Sequence, residues 1–157
     1  MEQRNPRFAE ISWISDVGQF RLRNWIERKQ ITLDASTTEG VHRRFTLYDA
    51  LKIAFVALLT QYGMTVELAN EETDELLKEP RYVRARGVNV ATEKDFRKIV
   101  EAFKREMWVW HTTEDNGTQW MRFRFDKEKP QTGVIIDAGA VVRTVVEKWE
   151  KITSQQE

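Results

Sequence analysis

The chain has 157 residues, 41% of them hydrophobic and 11% aromatic, with 25 basic against 25 acidic side chains and no cysteine. This composition excludes disorder, disulfide staples, thiolate metal sites and cysteine catalysis, and a net charge of zero excludes a uniformly basic nucleic-acid binder. The longest apolar run, IAFVALL at 53–59, is far too short to span a membrane, and the start MEQRNPRF lacks an apolar signal core. A cytoplasmic protein without membrane association is expected.

In chain order, FAEISWI (8–14) predicts a short helix with Phe8, Ile11 and Ile14 on one side. A turn at Ser15–Asp16 leads to a second helix over about 18–29. Along VGQFRLRNWIERK, Leu22, Trp25 and Ile26 form a core stripe, while Phe20 falls opposite, among Arg23, Asn24 and Glu27. This stretch is locally basic: Arg21, Arg23, Arg28 and Lys29 stand against Glu27. The following ITLDASTTEGVHRRF, β-branched with Gly40 in its course, predicts a two-stranded wing. Thr46 with Asp49 makes an acidic capping box for a third helix, which ends at Gly63, and Thr65 caps a fourth, VELANEETDELLKE. After Asp49 the third helix has only Lys52, Thr60 and Gln61 as clearly polar side chains. It must be covered on several sides, by the second region or by a second subunit. The acidic fourth helix reads as a solvated face, since it lacks the glycine and alternating ligands of a calcium loop.

Pro80 and Gly87 divide the chain into regions 1–79 and 80–157. Thr92 and Asp95 cap a helix that buries Phe96, Ile99, Val100 and Phe103. MWVWHT and QWMRFRF alternate around Asn116–Gly117 as a hairpin, and GVIID is a short third strand. The last helix, about 138–152, aligns Val142, Val145, Val146, Trp149 and Ile152. The fold class expected is α+β: a winged helix-turn-helix followed by a helix-hairpin-strand-helix module. The aromatic hairpin reads as core or a partner-facing surface, with a ligand pocket as the alternative.

The first region resembles the MerR family of DNA-binding domains over about residues 8–70. The likeness lies in order and spacing: Phe8, Ile11, Ser12 and Ile14 in the opening helix, Val17 after the turn, and Leu22, Arg23 and Trp25 in the second helix. His42, Arg43, Arg44, Phe45 and Thr46 end the wing, followed by Asp49, Leu51 onward, and Gly63, Met64 and Thr65. Asp16 stands where the family carries a turn glycine, and Asn24 replaces the first aromatic after the arginine. Pro80 ends the fourth helix where the family continues into a long dimerising helix.

The resemblance implies a sequence-specific transcriptional regulator, without enzymatic activity, that binds double-stranded DNA through Gln19, Phe20, Arg21, Arg23, Asn24, His42, Arg43 and Arg44. Gln19 and Arg21 are candidates for base reading, and Arg23 and Arg43 for phosphate contact. For Arg44, phosphate contact and a solvated wing weigh equally. Phe20 either rests on a thymine methyl or sugar or packs under the wing or second region, and on sequence alone the packed reading is favoured. A homodimer is expected through Val142, Val145, Val146 and Trp149, with a small-molecule or protein effector as a further partner. No cofactor or metal site is legible, since His42 and His111 lack partners at diagnostic spacing. Alternatives are a phage-type DNA packaging or excision accessory protein, or a protein-interaction module that has lost DNA binding.

Overall fold

The computed structural model describes residues 6–34, 44–77, 108–112, 118–122 and 133–154, with side chains described in the last three segments only from Ile136 onward. Its described elements are α1 (Phe8–Ile14), α2 (Gln19–Glu27), α3 (Leu47–Gln61), α4 (Val66–Leu77), β1 (Trp108–Thr112), β2 (Thr118–Arg122), β3 (Gly133–Ile136) and α5 (Ala138–Thr153). The chain divides into two compact units, one of residues 1–77 with 143–157 and the other of residues 78–142.

The helix boundaries of the first unit follow from their caps. The α1 start is held by the Arg7 N–H donating to Glu10 Oε2 at 2.7 Å. Its end closes with the Val17 N–H on the Ser12 carbonyl at 3.0 Å and the Asp16 N–H on the Trp13 carbonyl at 3.4 Å, a Schellman arrangement. The residue between, Asp16, has φ 55. Aspartate visits this left-handed region more readily than most residues. The α2 helix ends the same way, with the Gln30 N–H on the Trp25 carbonyl at 2.9 Å and the Lys29 N–H on the Ile26 carbonyl at 3.1 Å. Here Lys29 takes the left-handed position, at φ 54. Lysine has no local hydrogen bond to offset that conformation, so Lys29→Gly should stabilise the fold by about 0.5–1 kcal/mol, net of glycine's larger unfolded-state entropy. A urea midpoint at or below wild type would contradict this.

The capping box of α3 forms as expected: Thr46 N–H donates to Asp49 Oδ2 at 3.0 Å, and Asp49 N–H donates to Thr46 Oγ1 at 3.2 Å. Helix α3 ends at Gln61, and Gly63, just beyond its C-cap Tyr62, takes the left-handed position, at φ 90. Helix α3 is the central element of the unit, with Leu47, Ala50, Leu51, Ile53, Phe55, Val56 and Leu59 all buried. The helix is buried on several sides, with α4 and the α1–α2 turn of the same unit against it rather than the second region or second subunit expected to cover it. Ser15 Oγ donates to the Ala50 carbonyl at 3.0 Å, tying the α1–α2 turn to it.

The winged α+β class is corrected here. Helices are the only regular elements among the described residues of the first unit, and the three short strands belong to the second unit. Residues 35–43, the body of the expected wing, lie outside the described residues, and those on either side, 30–34 and 44–46, hold no strand. The reason is competition for backbone donors. Thr32 N–H donates to Asn70 Oδ1 at 2.9 Å and Asp34 N–H to Asp49 Oδ1 at 2.7 Å. Side chains of α4 and α3 thus take N–H groups that a wing ladder would need.

These bonds belong to a polar network. Lys52, with a side chain 1% exposed, pairs with Asp74 Oδ1 at 2.7 Å and donates to Thr32 Oγ1. Tyr48 donates its hydroxyl to Asp74 Oδ1 at 2.8 Å. Burial, and then this bond, push the Tyr48 phenol up, so it remains a protonated donor. Burial likewise pushes the Asp49 carboxyl up, opposed by the N–H groups of Asp34 and Thr46. The α4 helix is therefore not simply a solvated acidic face: Asn70 and Thr73 are buried and Asp74 is paired inward, while Glu71 and Glu75 remain exposed.

In α5, the stripe expected to dimerise is spent on the chain's own interior. Val142, Val145, Val146 and Trp149 are all buried in the single chain. Lys148 Nζ donates to the Trp13 carbonyl at 3.1 Å and lies 5.2 Å from the Trp13 ring centroid. The C-terminal part of α5 thus belongs with the first unit rather than with the second region, and these four side chains are covered within the single chain.

In the second unit the strands form an antiparallel sheet in the order β2-β1-β3. Trp110 stands opposite Trp120 in one pairing and opposite Val134 in the other. The strands lie where the alternation and the GVIID run predicted them. The turn residues Asn116–Gly117, Phe123 and Phe125, and the helix capped by Thr92, lie outside the described residues.

Candidate nucleic-acid interface

Helices α1 and α2 pack with a tight turn between them. Leu22 and Trp25 face inward with Ile11, Ile14 and Val17. The opposite side of α2 is open: Gln19, Phe20, Arg21, Arg23, Glu27, Arg28 and Lys29 are exposed, and Asn24 is half-buried. Phe20 is 79% exposed, the most exposed of the large hydrophobic side chains among the described residues. No described element covers the ring; residues 35–43 of the expected wing and most of the second region, under which the packed reading placed it, lie outside the described residues.

The arginines differ. Arg21 Nη2 donates to Thr60 Oγ1 at 2.9 Å, and its guanidinium lies 4.9 Å from the Trp25 ring centroid. Thr60 Oγ1 in turn donates to the Ala57 carbonyl at 2.8 Å, which orients the oxygen. Arg21, a candidate for base reading, is thus also a strut from α2 to the end of α3. Arg23 places its guanidinium 5.6 Å from the Phe8 ring centroid. Stacking engages the flat face of an arginine and leaves its N–H edge for phosphate oxygens. Phe8 itself stands 6.2 Å from Phe45, tilted by 54°, so Arg23 rests on an aromatic pair joining α1 to the residue before the α3 cap.

Gly18 is the N-cap of α2 and supplies no side chain to its free N–H groups. A Cβ at this position would meet nothing within 4 Å. Arg44 is half-buried and has an interaction of its own, while His42 and Arg43 lie outside the described residues.

Sequence reasoning missed Thr60 as the anchor of Arg21, although it is one of the few polar side chains of α3. It also missed Tyr62, 55% exposed just beyond α3, and Trp13, 48% exposed on α1. Among the described residues no three or more His, Asp or Glu side chains group to hold a metal ion, and no helix is long and apolar enough to cross a membrane. No family model matches the chain, and no curated protein matches it either.

Proposed function

We propose that this chain is a sequence-specific DNA-binding regulator that lays α2 in the major groove. The observation carrying this reading is the open face of α2, where a largely exposed aromatic ring stands among cations on the second helix of a helix-turn-helix. Such a helix brings its N-terminal residues to base edges. Cations around it attract phosphates even on a neutral protein. The MerR-like order of residues 8–70 supports the same reading. So does Asp16, which takes a left-handed conformation where that family has its turn glycine. Gln19 and Asn24 face bases, and Arg23, Arg28 and Lys29 face phosphates.

Gly18→Asp tests this with little cost to the fold. The new carboxylate caps α2 and complements its dipole, so stability should hold or rise by a few tenths of a kcal/mol. The same charge would oppose the DNA backbone, and affinity for duplex DNA should fall about tenfold, the scale of one near-surface charge pair. A fully stable variant binding as tightly as wild type would overturn the placement of α2.

A further inference from the structure

Phe20 poses a chemical question that DNA binding alone does not answer. Cations suffice for phosphate attraction, and polar side chains suffice for most base edges. An exposed phenyl ring adds nothing to either. In the major groove, the C5 methyl of thymine is the apolar group that the four bases present.

Resting on the DNA-binding reading, we infer that Phe20 is a specificity-determining residue that selects a thymine in the recognised sequence by covering its methyl group. Its geometry is suited to this. It is the second residue of α2, at the end of the helix that approaches base edges. The ring is 79% exposed, so its apolar surface is free to be covered. The adjacent Arg21 is fastened to Thr60 Oγ1 at 2.9 Å and stacked on Trp25, and Trp25 is buried. The base of Phe20 is therefore braced against α3 and the core, which fixes where the ring stands without holding the ring itself. Arg21 acts as a positioning residue.

The experiment uses the full chain and duplexes recovered by selection from random DNA. Each thymine in turn is replaced by deoxyuridine, which removes the C5 methyl and leaves the hydrogen-bonding edges intact. Wild type should lose about fourfold in affinity at one thymine, the value of one buried methyl. Phe20→Ala should bind more weakly, show no response at that thymine, and keep the same salt slope, because no charge changes. Phe20→Leu should recover part of the response. Melting temperatures of both variants should match wild type. The same deoxyuridine profile in wild type and Phe20→Ala overturns the thymine assignment and leaves DNA binding standing. So does a self-association that only Phe20→Ala abolishes while that profile is unchanged. Failure to bind any duplex overturns both readings.

Discussion

Lys52→Ala should destabilise the protein by about 3–5 kcal/mol, nearer the lower figure, and lower Tm by roughly 10 °C. The Lys52 ammonium is buried against Asp74 at 2.7 Å and donates also to Thr32 Oγ1. Its removal leaves a carboxylate with side-chain exposure of only 24% and no cation opposite it. The Tyr48 hydroxyl, at 2.8 Å, and Thr32 Oγ1, at 3.3 Å, still donate to Asp74, which softens the loss. The double variant Lys52→Met with Asp74→Asn removes both charges and keeps the lysine's apolar stem. It should be markedly more stable than Lys52→Ala, because replacing both partners avoids the unpaired buried charge. Equal losses in the two variants would assign the effect to a cavity rather than to charge. Residues 30–34, which leave α2, are pinned by this network, so Lys52→Ala should weaken DNA binding without altering sequence preference.

Trp149→Ala should cost about 3–5 kcal/mol, the range for emptying a buried aromatic site. Trp149 is one of the largest fully buried side chains, and Val145 and Val146 are buried near it in sequence. Its indole Nε1 is buried without a hydrogen-bond partner among the described residues, and an unsatisfied buried donor is a standing cost. Trp149→Phe keeps most of the ring and removes that donor, so it should lose much less, about 1 kcal/mol. Chemical denaturation of the two variants separates core packing from a subunit interface. If α5 were a dimerisation surface, both variants would dissociate the protein before unfolding it, and the midpoint would depend on protein concentration.

The boundaries of α1 and α3 could be read from the chain because their signals are local. Phe8, Ile11 and Ile14 share a stripe, Thr46 and Asp49 sit three residues apart, and Gly63 occupies a left-handed position. The wing could not be read correctly because its donors are captured from far along the chain. Asn70 takes the Thr32 N–H across 38 residues and Asp49 takes the Asp34 N–H across 15. Neither is visible in a β-branched run read by itself. The Lys52–Asp74 pair spans 22 residues and is hidden for the same reason, its carboxylate lying in a fourth helix whose acidic side chains read as a solvated face. Periodicity gave α5 its apolar stripe but could not say what covers it. For Phe20, helical geometry gave the correct side, while its exposure depends on neighbours that periodicity does not identify. Arg21 shows the opposite limit: its place near the start of α2 suggested base reading, and Thr60 on another helix engages it.

The most direct test of the account is selection from random duplex DNA by the full-length protein, followed by a salt titration on the recovered sequence. The account predicts enrichment of a short motif containing a thymine, with log affinity falling linearly against log salt concentration at a slope of several phosphates. Recovery of no motif, with binding that is absent or independent of salt, would contradict it.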